Sequence, residues 1–169
     1  MSDIVESKFL ISHGKFKQRI VICGSMSFYK EMVEIQIQLA EDGILAIVPE
    51  AEGETVAAMS AERFAAFKRE VSFKYLKKIR DPETVAVLVV NKDKHGIRDY
   101  IGANTFAEIA IAFVQSKKIF LLQRMPDTYI DELEAWKCIE LDGYLDRIKQ
   151  YYKAAIKELG WQPDLFENI

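Results

Sequence analysis

Val85-Ala86-Val87-Leu88-Val89-Val90, followed without a break by Asn91-Lys92-Asp93-Lys94-His95-Gly96-Ile97-Arg98-Asp99-Tyr100-Ile101-Gly102-Ala103-Asn104-Thr105-Phe106-Ala107-Glu108, is the stretch on which the fold turns. An apolar run without alternation is a strand covered on both faces, as in a parallel sheet between two helix layers. The polar segment after it leads into an apolar pattern that predicts a helix over 105–116. Glu108 is the only ionisable side chain between Asp99 and Lys117.

Working outward, the same alternation recurs. Arg19 opens the run Ile20–Cys23, which ends at Gly24-Ser25; Ile44–Val48 is stopped by Pro49; Lys118–Leu122 and Lys137–Leu141 complete five strands. Between them lie a helix with Met32, Ile35 and Leu39 on one face and Gly43 as its C-cap, and a loop over Glu50–Met59. Ser60 then caps a helix carrying Phe64, Phe67, Val71 and Tyr75 at helical spacing and ended by Asp81-Pro82. A short helix over Asp127–Glu134 follows. The last helix, with Leu145, Ile148, Tyr152, Ile156 and Leu159, stops at Gly160. The pattern predicts one α/β domain over residues 1–169: a three-layer α/β/α sandwich with a five-stranded parallel sheet in the flavodoxin- or Rossmann-like order 2-1-3-4-5. In that order ligands sit beyond the carboxyl ends of the strands where the order reverses, so Gly24–Ser27 and Asn91–Glu108 are expected to face one another.

Composition narrows the function. A chain of 169 residues, half of them apolar, buries a core without disulfides or metals. A net charge of -3 argues against coating nucleic acid or an anionic membrane. Cys23 and Cys138 have no metal-ligand spacing and read as small buried hydrophobes of a reducing compartment. Neither a membrane-spanning run nor the basic-then-apolar order of a signal peptide is visible, so the expected location is cytoplasmic. His13 and His95 stand alone and read as loop residues, and no metal or cofactor is expected. Lys68, Arg69, Lys74, Lys77, Lys78 and Arg80 give one helix a basic face, which reads first as solvated surface and second as a rim attracting a phosphorylated ligand.

Two segments carry chemistry. Cys23-Gly24-Ser25-Met26-Ser27-Phe28 combines close backbone approach, hydroxyl donors and a following helix N-terminus, a combination suited to a sugar or phosphate; equally, Ser25 or Ser27 caps that helix. It is neither a P-loop nor the G-x-G-x-x-G fingerprint. Thr105-x-x-Glu108 has capping-box spacing, and as a motif alone it favours a helix cap. Against the cap stands the helix itself, so apolar that it reads as covered nearly all round, where a carboxylate is costly. Asn91, Asp93, Asp99, Tyr100 and Asn104 crowd the same loop, and two carboxyl groups facing one substrate suit the cleavage of a glycosidic bond.

The order Gly24-Ser25 after strand one, then Y-I-G-A-N-T-F-A-E-I from Tyr100 to Ile109, then K-K-I-F-L-L from Lys117 to Leu122, resembles the nucleoside 2-deoxyribosyltransferase-like superfamily, in an uncharacterised branch with an [IV]-G-x-[SN]-T-x-x-E-I signature. The likeness runs from Arg19 to Leu122. It implies cleavage of the N-glycosidic bond of nucleosides or their 5′-monophosphates, or (deoxy)ribosyl transfer, with Glu108 as nucleophile. It also implies that Gly24, Ser25 and Met26 hold the sugar or 5′-phosphate and that Asn91 orients the base. Tyr100, Gly102, Asn104 and Thr105 would complete the substrate pocket. Asn91 stands where the transferases often have aspartate, so the acid role passes to Asp93 or Asp99. Ala103–Ala107 replaces the usual glycine-rich run. The resemblance implies a homo-oligomer, no cofactor, and no nucleic-acid or membrane partner. A non-catalytic nucleotide- or nucleoside-binding domain on the same scaffold is the alternative. The phosphoribohydrolase group, which shares the T-x-x-E ending, is disfavoured by the missing glycines.

Overall fold

The structure is a computed structural model that describes residues 18–51 and 59–158. Its elements are β1 (Arg19–Gly24), a 3-10 turn (Met26–Phe28), α1 (Tyr29–Glu41), β2 (Ala46–Ile47), α2 (Ala61–Arg80), β3 (Thr84–Val90), α3 (Ala103–Val114), β4 (Lys118–Leu121), a second 3-10 turn (Asp127–Tyr129), α4 (Ile130–Ala135), β5 (Ile139–Glu140) and α5 (Asp146–Glu158). The five strands form one sheet in the order β2-β1-β3-β4-β5. Every pairing in it is parallel. This is the expected three-layer α/β/α arrangement.

Uniform apolarity of the strands follows from how their side chains divide. Ile20 and Ile22 of β1 and Ala86, Leu88 and Val90 of β3 pack with Met32 and Leu39 of α1 and Ile148 and Tyr152 of α5. Val21, Cys23, Val87 and Val89 point to the opposite face, against Tyr75 and Ile79 of α2, Ile109 and Ala112 of α3 and Leu133 of α4. Both faces are therefore dry, and the central strands are apolar at every position from Ile20 to Cys23 and from Val85 to Val90.

Several expected boundaries move. Only Ala46 and Ile47 of the run 44–48 pair with β1, although Ile44 and Val48 are also buried. Gly43 lies one residue beyond the C-cap Asp42, at φ +72°, the left-handed conformation in which glycine commonly stops a helix. Ser60 caps α2 as expected, its hydroxyl accepting from the Arg63 N–H at 3.3 Å. Of that helix, Tyr75 and Ile79 are buried, whereas Phe64 is 40% exposed. A helix of 20 residues outruns a seven-residue strand, so its first half leaves the sheet. The helix predicted over 105–116 is α3, over 103–114, and it is not covered all round: Phe113 and Val114 are 44% and 71% exposed. Part of its apolar side instead serves an aromatic stack. Phe106 lies on Tyr129 and Trp136, with centroids 4.2 and 5.3 Å away, and Phe113 stacks on Trp136 at 5.2 Å. The loop at 52–58 and the end of the last helix at Leu159-Gly160 lie outside the described residues. No helix among the described residues is long and apolar enough to cross a membrane.

Candidate functional site

The register of the sheet sets two chain reversals side by side. Gly24 pairs with Val90, so β1 and β3 end level and release Ser25 and Asn91 next to each other. Gly24 is required by packing: a Cβ there would lie 2.8 Å from the Val90 carbonyl oxygen and 2.8 Å from Met32 Cε. After it, the Ser25 side chain accepts from the Ser27 N–H at 3.3 Å and caps the 3-10 turn.

Beyond β3 the chain folds into a small hairpin. Lys94 and Ile97 exchange backbone hydrogen bonds of 3.0 and 2.9 Å, and His95 and Gly96 between them have φ of +54° and +74°. Two successive positive values are the signature of a type I′ turn, for which glycine in the second position is favoured. The hairpin is tied to the β1 side twice. Lys92 Nζ pairs with Glu31 at 2.9 Å, and Lys94 Nζ donates to Ser25 Oγ at 2.8 Å while lying 5.3 Å from the centre of the Tyr100 ring.

Between these reversals and α2 lies a cavity of about 520 Å³. The β1 turn contributes Gly24, Ser25, Met26 and Ser27; the start of α3 contributes Gly102, Ala103, Asn104, Thr105 and Glu108. Tyr100 and Lys94 close the hairpin side. Phe67, Val71 and Tyr75 of α2 form an apolar wall with Lys68, Lys74 and Lys78 around it, and Glu50 lies beyond β2. Tyr75, buried, donates its hydroxyl to the Ile22 carbonyl, which fixes the helix wall to the end of β1.

Glu108 is not a helix cap. The N-cap of α3 is Gly102, with no side-chain cap bond, and Thr105 is already inside the first turn. Glu108 belongs to the second turn, too far along for its carboxyl to satisfy the terminal N–H groups. The capping box is therefore absent, because the N-cap lies three residues before Thr105. The carboxyl lines the cavity instead. Burial raises it from its ordinary 4.5 to about 7, and a hydrogen bond with the Cys23 thiol pulls weakly the other way. Burial, reinforced by Glu108, pushes Cys23 well above the usual thiol range, so it remains a protonated donor and not a nucleophile.

Eight of the residues singled out in the sequence thus meet around one cavity: Gly24, Ser25, Met26, Tyr100, Gly102, Asn104, Thr105 and Glu108. Asn91, Asp93 and Asp99 are not among its lining residues. Fully buried Asn91 donates from Nδ2 to the carbonyls of Arg124 (2.7 Å) and Asp99 (3.3 Å), and its Oδ1 accepts from the Gln123 N–H at 3.0 Å. Both ends of the amide are engaged, so it ties the β3 and β4 loops together. Asp93 accepts from the Asp99 N–H at 3.0 Å and shapes the hairpin. Burial, then the nearby Asp93, raises the Asp99 carboxyl. Lys94, Tyr75, Glu50 and the α2 wall were not foreseen as lining. Phe67 and Val71 read as core from their spacing, and only tertiary geometry distinguishes a cavity wall from a core.

Among the described residues, no group of three or more His, Cys, Asp or Glu is gathered to hold a metal. Comparison of the chain with protein-family models, with curated proteins and with solved structures finds no match.

Proposed function

We propose that the cavity binds a nucleoside or nucleoside 5′-monophosphate and that Glu108 cleaves its N-glycosidic bond. The observation carrying this is the part-buried Glu108 carboxyl, on the lining of the cavity that also holds Gly24-Ser25 and freed from any capping duty. An apolar wall from Phe67 and Val71 suits a base, and the serines of the β1 turn suit sugar hydroxyls. Lysines on the lining suit a phosphate.

The chemistry balances as follows. An ionised Glu108 oxygen attacks the anomeric carbon, the C–N bond breaks, and its electron pair leaves on the base. The departing nitrogen takes a proton from water at the cavity mouth, leaving hydroxide. A second water then attacks the same carbon and yields its proton to that hydroxide, releasing the sugar and restoring the carboxylate; an acceptor base that yields its N–H proton in the same way gives transfer. With Glu108 near 7, its attacking form is half populated at neutral pH, and turnover rises with pH until the carboxyl is fully ionised.

The test is release of free base, followed chromatographically, from a panel of nucleosides and 5′-monophosphates. Wild type releases base from at least one, and Glu108→Ala releases none while its circular dichroism is unchanged. No release from any substrate overturns the catalytic proposal. One observation favours binding without turnover: Asp93 and Asp99, the expected acids, are absent from the lining. That alternative requires saturable nucleotide binding with no base released over hours.

A further inference from the structure

Among the described residues, Lys94 is the lining lysine whose ammonium is hydrogen-bonded to another lining side chain, Ser25. Lys74 is ion-paired with Glu70 at 2.8 Å. Lys68 and Lys78 lie over the rings of Phe64 and Tyr75 on their own helix, at 5.9 and 6.0 Å. Its hairpin neighbour Lys92 is paired with Glu31. Lys94 is part-buried, and among the described residues no carboxylate stands within ion-pair distance of it. Among the described residues its ammonium meets a neutral hydroxyl, Ser25 Oγ, and the face of the Tyr100 ring.

A half-buried ammonium held by neutral groups is incompletely compensated, because a hydroxyl and a ring face offer less than a carboxylate or phosphate. It is also ordered in advance. The type I′ hairpin carries its backbone, and Ser25 and Tyr100 hold its tip, so much of the rotamer entropy that a lysine loses on binding an anion has already been lost. The partner it touches, Ser25, is itself on the cavity wall.

We infer that Lys94 is the specificity residue of this cavity: its ammonium turns from Ser25 to the phosphate of an entering ligand, so the site prefers a phosphorylated sugar to the same sugar unphosphorylated. This rests on the proposed nucleotide site but not on any bond being broken there. Exchange of a neutral hydroxyl acceptor for an anionic phosphate oxygen is expected to favour the phosphorylated form by ten-fold or more at low salt. The ammonium then releases Ser25 Oγ, which still accepts from the Ser27 N–H, to bond the sugar.

The experiment is calorimetric titration of wild type, Lys94→Gln, Lys94→Arg and Ser25→Ala with a nucleoside 5′-monophosphate and with the matching nucleoside, at low and moderate salt. Thermal unfolding checks each fold. Lys94→Gln should lose at least ten-fold in affinity for the monophosphate, stay within two-fold for the nucleoside, and show a weaker salt dependence. Lys94→Arg should retain most of the preference, and Ser25→Ala should retain it as well, since the cation is still present. Equal loss for both ligands in Lys94→Gln means that Lys94 merely supports the hairpin, and overturns the inference. So does an unchanged monophosphate affinity, which would move the phosphate to the α2 lysines. If neither ligand binds wild type, both this inference and the nucleotide site fail. If the monophosphate binds through Lys94 but no base is released, only the catalytic step falls.

Discussion

Replacing Glu108 by glutamine should stabilise the protein, and only at high pH. The native carboxyl titrates near 7 against an ordinary 4.5, with burial as the main cause. A group whose folded value lies above its unfolded value favours folding while protonated and loses that advantage as pH rises through the folded value. Below about pH 4.5 the acid is neutral in both states and costs little. Between 4.5 and 7 the unfolded chain releases its proton while the folded one keeps it, so stability falls. Above 7 the full penalty applies. At about 1.4 kcal/mol per pH unit, a rise from 4.5 to about 7 corresponds to about 3 kcal/mol. Glutamine keeps the shape and cannot ionise. Urea unfolding should therefore find Glu108→Gln close to wild type at pH 4.5 and about 2–3 kcal/mol more stable at pH 8. A difference that does not change between these pH values refutes a part-buried carboxyl without an ion-pair partner. A variant less stable than wild type at pH 8 also refutes it, since that would mean the carboxylate is paired in the fold. The expected gain is the opposite of what removing a structural ion pair would give, and it fits a group kept for its reactivity at a cost in stability.

Further outcomes follow from single contacts. Asn91→Ala removes three buried hydrogen bonds and leaves the Arg124 and Asp99 carbonyls and the Gln123 N–H without this partner, so a loss of about 2–4 kcal/mol is expected in chemical denaturation. Gly24→Ala drives a methyl into the Val90 carbonyl and Met32, which should cost about 1–3 kcal/mol and lower the melting temperature. Cys23→Ala deletes the hydrogen bond that partly offsets the burial of Glu108. Its carboxyl midpoint, read by carbon-13 NMR of labelled glutamate, should move upward, and Cys23→Ser should restore or lower it.

What the sequence disclosed is governed by local pattern. The strands and the order 2-1-3-4-5 were legible because two-sided burial leaves an unbroken apolar run, and because short crossovers restrict how such runs can neighbour one another. The meeting of Gly24–Met26 with Tyr100–Glu108 followed from that order alone. Helix starts were less legible. Thr105-x-x-Glu108 fits the capping box at its spacing, but the backbone enters the helix at Gly102, where a glycine with no capping side chain suffices. Asn91 illustrates another limit: its position beside the site is visible in the sequence, while its use by three backbone groups depends on the β4 loop 32 residues further on. Phe64 and Phe113 look like core residues because their periodicity is helical, and periodicity alone does not report how far a helix extends beyond its sheet.

Glu108 and Lys94 place opposite electrostatic demands on one cavity. A lysine close to Glu108 would favour its ionised form and bring it back toward the ordinary carboxylate range. The influences on Glu108 are burial and the Cys23 thiol, with no lysine among them, although four lysines line the same cavity. Lys94 is held instead by Ser25 and Tyr100, on the hairpin side. Anion attraction by Lys94 therefore leaves the Glu108 carboxyl free to titrate near neutrality. Lys94→Gln should accordingly change phosphate preference while the Glu108 midpoint stays near 7 in the unliganded protein. A midpoint that rises by a full pH unit in Lys94→Gln would show that the two groups interact directly, and the separation of binding from chemistry argued here would be wrong.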